Sequence, residues 1–221
     1  MRILIFANGV MEDPASEVAR WRRPGDLLVA ADGGTFHVME VDLVPDHIVG
    51  DLDSLSKSLK NQLRYHGCRV HESPAEKDET DLELALLWAA ETYPDADDVE
   101  QIVVLGAFGG RPDQALANLL LLALPELQGR DVVMVDGDWI LRLLRAGEEL
   151  TLEGQAGDRV SLIPLGGTAE GVETSGLAYP LKSEPLVFGP ARGVSNHLKD
   201  TIATVRLAKG KLWCFHERHS D

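Results

Sequence analysis

The stretch "QIVVLGAFGGRPDQALANLLLLAL", residues 101–124, decides the fold. It opens with QIVVLGA, a near-continuous apolar run, which is how a strand buried on both faces reads. Glycines follow, and then Pro112, a residue suited to the first turn of a helix. From Pro112 onward the leucines run round most of a helical circumference, which predicts a buried helix that stops near Pro125. Strand, glycine-rich loop and helix in that order belong to a parallel sheet.

Outward from this segment the pattern repeats. RILIFA (2–7), LLVAA (27–31), DHIVG (46–50), CRVHE (68–72) and DVVMV (131–135) read as further strands separated by helical stretches. The clearest helix is TDLELALLWAAETY, residues 80–93, where Leu82, Ala85, Leu86, Ala89, Ala90 and Tyr93 form one apolar stripe. Thr80 followed by Glu83 is a capping box and marks its start. Beyond about residue 147 helical periodicity disappears, while glycine and proline become frequent. Short β runs appear at 159–165 and 185–189, and TIATVRL and KLWCFHE flank AKG (208–210) in the pattern of a hairpin. The expected architecture is an α/β, Rossmann-like parallel-sheet domain over 1–146 followed by a small all-β domain over 147–221.

Composition excludes several classes. The chain has 221 residues, 44% hydrophobic, enough for a packed core. A net charge of −15 disfavours nucleic acid as a partner. Two cysteines, Cys68 and Cys214, with no CxxC or Cys/His cluster, argue against zinc and against a disulfide framework. The most apolar stretch, ALANLLLLAL (115–124), falls short of the ~18 residues that a spanning helix needs, and ILIFA is too short for a signal-peptide core. A soluble, cytoplasmic protein with no membrane partner is the expectation.

In an open α/β sheet, ligands bind outside the carboxyl ends of the strands. The residues that follow the strands are Asn8–Gly9, Asp32–Gly33–Gly34, Asp51 to Ser54, Glu76 to Asp81 and Phe108 to Gln114. Acids and glycines therefore gather at one rim. Asp51 and Asp53, two apart, point the same way in an extended segment, and like charges held together call for a cation. Carboxylates without His or Cys suit Mg²⁺. A turn in which Asp53 or Ser54 caps the next helix is the plainer reading. Asp78 and Asp81 flank the capping box and complement the helix dipole, yet they share the rim, with Lys77 beside them. The glycines of GAFGGRPDQ let backbone N–H groups approach an anion, and Arg111 adds a guanidinium for phosphate. The loop is neither a Walker A loop nor GxGxxG. Together these features point to Mg²⁺-dependent chemistry on a nucleotide or other polyphosphate.

The ordered set ADGGT (31–35), GDLDS (50–54), KDETDLELAL (77–86), GAFGGRPDQALAN (106–118), TSGLAYPL (174–181) and GVSN (193–196) resembles the thiamine pyrophosphokinase family. Ala178 stands where a basic residue is common in that family, and HLKD follows Asn196. The resemblance implies a β-sandwich-like C-terminal domain that binds thiamine, a homodimer, and ATP and thiamine as substrates, giving thiamine diphosphate and AMP with Mg²⁺. By motif, Asp51, Asp53 and Asp81 would be catalytic and hold the metal. Asp32, Gly33, Gly34, Lys77, Asp78, Arg111, Asp113 and Gln114 would line the ATP and phosphate side. Ser175, Tyr179, Ser195 and Asn196 would lie against thiamine, whose positive ring Tyr179 could face. Asp81 is also a candidate to take the hydroxyl proton. The rivals are another Mg²⁺-dependent phosphotransferase or pyrophosphohydrolase on the same scaffold, and a non-catalytic binding module.

Overall fold

The computed structural model describes residues 1–219 and divides into two compact units, 1–137 and 138–221. The first unit holds six strands: β1 (Arg2–Phe6), β2 (Leu27–Ala31), β3 (His47–Gly50), β4 (Arg69–Glu72), β5 (Gln101–Leu105) and β6 (Val132–Asp136). They lie in the order β4-β3-β2-β1-β5-β6, and every pairing is parallel. Its helices are α1 (Pro14–Trp21), α2 (Thr35–Glu40), α3 (Lys57–Tyr65), α4 (Asp81–Thr92) and α5 (Pro112–Leu121). The apolar runs seen in the sequence are these strands, and β1 is buried along its whole length.

Helix α4 begins where the capping box places it. Thr80 is its N-cap and accepts the Glu83 N–H at 3.2 Å, and Leu82, Ala85, Leu86, Ala89 and Ala90 are buried. Helix α5 corrects an expectation. None of its residues is buried, Leu116 is 54% exposed and Leu120 46%, and it ends at Leu121. An apolar circumference states what a helix could bury, not what covers it.

The second unit is all-β. One antiparallel sheet has the order β12-β9-β14-β7, built from β7 (Trp139–Arg145), β9 (Arg159–Pro164), β12 (Asn196–His197) and β14 (Lys211–Glu217). The other has the order β11-β10-β13-β8, from β8 (Glu149–Glu153), β10 (Ala169–Ser175), β11 (Glu184–Leu186) and β13 (Ile202–Arg206). One apolar cluster takes side chains from both sheets, among them Leu144, Val160, Leu162 and Leu212 from one and Leu152, Val172 and Val205 from the other. The hairpin expected of TIATVRL and KLWCFHE does not form. Strand β13 pairs with β8 and β10, whereas β14 pairs with β7 and β9. Alternation identifies a strand but does not name its partner.

A buried ion pair ties the start of β1 to the turn before β2. Arg2 donates to Asp26 through Nε at 3.1 Å and Nη2 at 2.6 Å, and it also donates to the Trp21 carbonyl. The two side chains are 3% and 4% exposed. Removing one member of such a pair strands the other charge away from water. Asp26→Ala is therefore expected to destabilise the protein by about 3–5 kcal/mol, read as a lowered denaturation midpoint in urea.

Candidate active site

Strands β1 to β4 step outward in one direction from the middle of the sheet, and the chain then crosses back to place β5 on the other side of β1. The carboxyl ends of β1 and β5 thus form a topological switch point, where a crevice opens. A cleft of about 140 Å³ lies there, lined by Asn8 and Gly9 after β1, Thr80 and Asp81 at the start of α4, and Gln114 and Asn118 of α5. Backbone bonds join its two sides: Gly9 N–H to the Gly106 carbonyl at 2.7 Å, and Val10 N–H to that of Phe108 at 2.8 Å. Asn118 donates to the Ala107 carbonyl at 2.7 Å, and a ring nitrogen of His37 meets the Gly9 carbonyl at 2.8 Å. Gly34 packs so closely on the Phe6 carbonyl that no Cβ would fit, so the Gly33–Gly34 pair serves close approach to β1.

Three carboxylates, Asp32, Asp51 and Asp53, present oxygens all within 4.8 Å of one another. The route to this arrangement differs from strand alternation. Strand β3 ends at Gly50, and Leu52 adopts the left-handed conformation (φ 60°). Its side chain is fully buried in a cluster with Ile48, Leu55 and Leu63. Asp53 N–H donates to Asp51 Oδ1 at 3.2 Å, an Asx-type turn. The turn and the acid cluster are thus one structure, and the helix cap expected of Asp53 or Ser54 is supplied by Ser56. Ser54 instead donates to Asp32 Oδ2. Asp32, itself left-handed (φ 41°), is only 4% exposed, and its Oδ1 is buried without a hydrogen-bond partner. Burial pushes its carboxyl above the usual range, Ser54 partly offsets this, and the charges of Asp81, Asp53 and Asp51 push it further up.

Asp81 stands beside this group. Its Oδ1 accepts Lys77 Nζ at 2.5 Å and the Asp51 N–H at 3.4 Å, and Lys77 Nζ lies 3.8 Å from Asp51 Oδ2. Gly50 is required here by its φ of 144°, which strains any L side chain, and a Cβ would also fall 2.7 Å from Asp81 Oδ1. Asp78 is exposed. Arg111, the N-cap of α5, pairs with Asp113 in its first turn at 2.5 Å, which holds the Asp113 carboxyl below its usual range. Gln114 follows in the cleft wall.

In the second unit, Ser175 Oγ lies 2.7 Å from Thr204 Oγ1. Tyr179 and Asn196 are joined by hydrogen bonds of 3.0 and 2.8 Å. Ser195 (φ 64°) donates its N–H to Ser161 Oγ at 3.1 Å. Three partners of the site escaped the sequence reading. Ser54 was legible only as a cap, Asn118 could have been found one helical turn after Gln114, and His37 carries no local signal.

A carboxylate cluster, and a switch-point cleft lined by Asp81, Gly109 and the first turn of α5, define an α/β scaffold suited to phosphates. More specifically, the chain belongs to the thiamin pyrophosphokinase family. Its catalytic-domain model matches residues 20–134, and its vitamin B1 binding domain model matches residues 149–212. Thiamine pyrophosphokinase of Bacillus subtilis is 29% identical over 186 residues, covering 84% of this chain and 85% of that protein. Thiamine pyrophosphokinase 2 of Arabidopsis thaliana is 29% identical over 174 residues, covering 76% of this chain and 64% of its own length. The crystal structure of the Geobacillus thermodenitrificans enzyme superposes with a TM-score of 0.83 at 29% identity, over 100% of this chain and 99% of that one. The Bacillus subtilis structure, at 24% identity and a TM-score of 0.84 over 100% of both chains, shares the fold.

A carboxyl whose folded pKa is raised contributes stability that is present below its unfolded value, 3.8, and lost as pH rises through the folded value. At neutral pH the ionised Asp32 therefore opposes folding. Asp32→Asn is expected to raise the melting temperature of the metal-free protein at pH 7 by a few degrees. The gain should shrink toward pH 4; differential scanning calorimetry reads both.

Proposed function

We infer that the protein transfers a diphosphoryl group from ATP to the hydroxyl of thiamine, giving thiamine diphosphate and AMP. The observation that carries this is the family's catalytic-domain match over the residues that build the carboxylate cluster, followed in order by its vitamin B1 binding match over Tyr179 and Asn196. The donor set fits a hard divalent cation: oxygen ligands alone, three carboxylates in reach of one another, and a buried Asp32 Oδ1 without a partner. Asp32, Asp51 and Asp53 would hold Mg²⁺, which supplies charge neutralisation for the phosphates. Asp81, also expected among the ligands, would stand beside them, with Lys77 on its Oδ1 in the absence of the ion.

The chain's own groups do the rest by position and charge. Helix α5 begins at the glycine loop and offers its N-terminal N–H groups, with the Arg111 guanidinium, to the phosphates. Lys77 moves its charge from the carboxylates toward the same oxygens. The thiamine hydroxyl oxygen bonds to the β-phosphorus while the bond from that phosphorus to the α-phosphate oxygen breaks, and the electron pair leaves with AMP. The hydroxyl proton passes to Asp81, which lines the cleft.

A homodimer is part of this reading. Leu116 and Leu120, four residues apart on α5 and both exposed, support an association surface there. No helix among the described residues is long and apolar enough to cross a membrane, and a cytoplasmic location agrees with that.

Purified protein with ATP, Mg²⁺ and thiamine should yield AMP and thiamine diphosphate on chromatography; ADP or free phosphate in their place would sink the reading. Asp51→Asn and Asp53→Asn should each lower kcat by about a hundredfold or more, because a metal's charge contributes several kcal/mol to the transition state. Their melting temperatures should not fall.

A further inference from the structure

The side chain of Asn196 is committed within the protein. Its Oδ1 accepts the backbone N–H groups of Tyr179 at 3.0 Å and of His197 at 2.9 Å, and its Nδ2 donates to the Tyr179 carbonyl at 2.8 Å. These are three of the four hydrogen bonds an amide side chain makes. Asn196 is itself fixed by pairing with Val160 across β9 and β12. Tyr179 thus has both backbone polar groups held as a neighbouring strand would hold them, while its side chain stays outside: the residue is 69% exposed. His197 meets the Tyr179 ring edge-on, with centroids 6.0 Å apart and planes at 89°. Beside the ring lies a cleft of about 180 Å³ lined by Leu162, Pro180, Leu181 and Val194 together with the polar residues Arg192 and Asn196. A clamped backbone, a steadied ring edge and an adjoining cleft together make a preorganised aromatic platform, whose face attracts a fixed cation.

We propose that Asn196 is a positioning residue, not a ligand contact: it clamps the Tyr179 backbone so that the ring forms one wall for the positively charged ring of the acceptor. His197 holds the ring's edge. This rests on the reading that the second unit receives thiamine. Replacing Asn196 frees the Tyr179 backbone and disperses the ring over other positions, so the loss reaches the ligand only through Tyr179.

A double-mutant cycle tests this, with Tyr179→Ala, Asn196→Ala and the double variant measured for KM of thiamine, KM of ATP and kcat, and for the equilibrium Kd of thiamine by calorimetry. Tyr179→Ala should raise the KM and Kd of thiamine about tenfold, with kcat and the KM of ATP within about twofold of the parent. Asn196→Ala should have a smaller effect of the same kind. The double variant should be no worse than Tyr179→Ala alone, because the two residues act as a unit. Tyr179→Phe should keep parental affinity, since the ring and not the hydroxyl is used. Additive losses in the double variant would make Asn196 a direct ligand contact and overturn the proposal. So would an unchanged thiamine Kd in Tyr179→Ala. The inferred reaction fails separately, through absence of AMP and thiamine diphosphate from the parent protein even where the binding cycle holds.

Discussion

Repulsion among carboxylates is the constraint around which the first unit is arranged. Asp32, Asp51 and Asp53 bring their oxygens within 4.8 Å of one another, and water would separate them if the backbone allowed it. It does not, because Leu52 between the two later acids is sunk in the core with Ile48, Leu55 and Leu63, and its left-handed conformation turns the flanking residues back on themselves. Left-handed geometry at a branched apolar residue costs roughly 1–2 kcal/mol. Burial of the leucine, of order 1.5–3 kcal/mol, is large enough to hold it there. Strain, burial and charge crowding are thus coupled in one short turn, the usual way local strain persists at functional sites.

The chain carries a partial answer to its own repulsion. Lys77 sits against Asp81 and near Asp51, so one positive charge is already inside the acidic group. It reaches the carboxylates through the single turn between its own position and the start of α4, the helix whose N-terminus also favours negative charge at Asp81. Asp32, the most buried of the acids, receives only the Ser54 hydroxyl on one oxygen and nothing on the other. Neutralisation within the acidic group is therefore uneven.

Much of this was legible in the sequence, for physical reasons that differ by element. The apolar strands of the first unit could be read because a doubly covered strand has no polar face to confuse the pattern. Helix α4 could be read because its stripe and its Thr80 cap agree. Helix α5 misled because leucines on every side do not say which side another element covers. The final two strands misled because alternation carries no information about pairing, and a short linker between them was compatible with either one sheet or two. The acids were visible as motifs, but the contact between Ser54 and Asp32 spans two strands and has no local signature. In the second unit, Asn196 was visible as part of a motif, while its commitment to the Tyr179 backbone appears only once β12 is laid beside β9.

The crossing that sets β5 beside β1 also has a kinetic side. Gly9 and Gly106 are bonded to each other although they are far apart along the chain. Closing so long a loop is slow, since its entropy is lost before the contact rewards it. The bond between Gly9 and Gly106 exists only once β5 lies beside β1, so an intact crevice reports a complete central sheet.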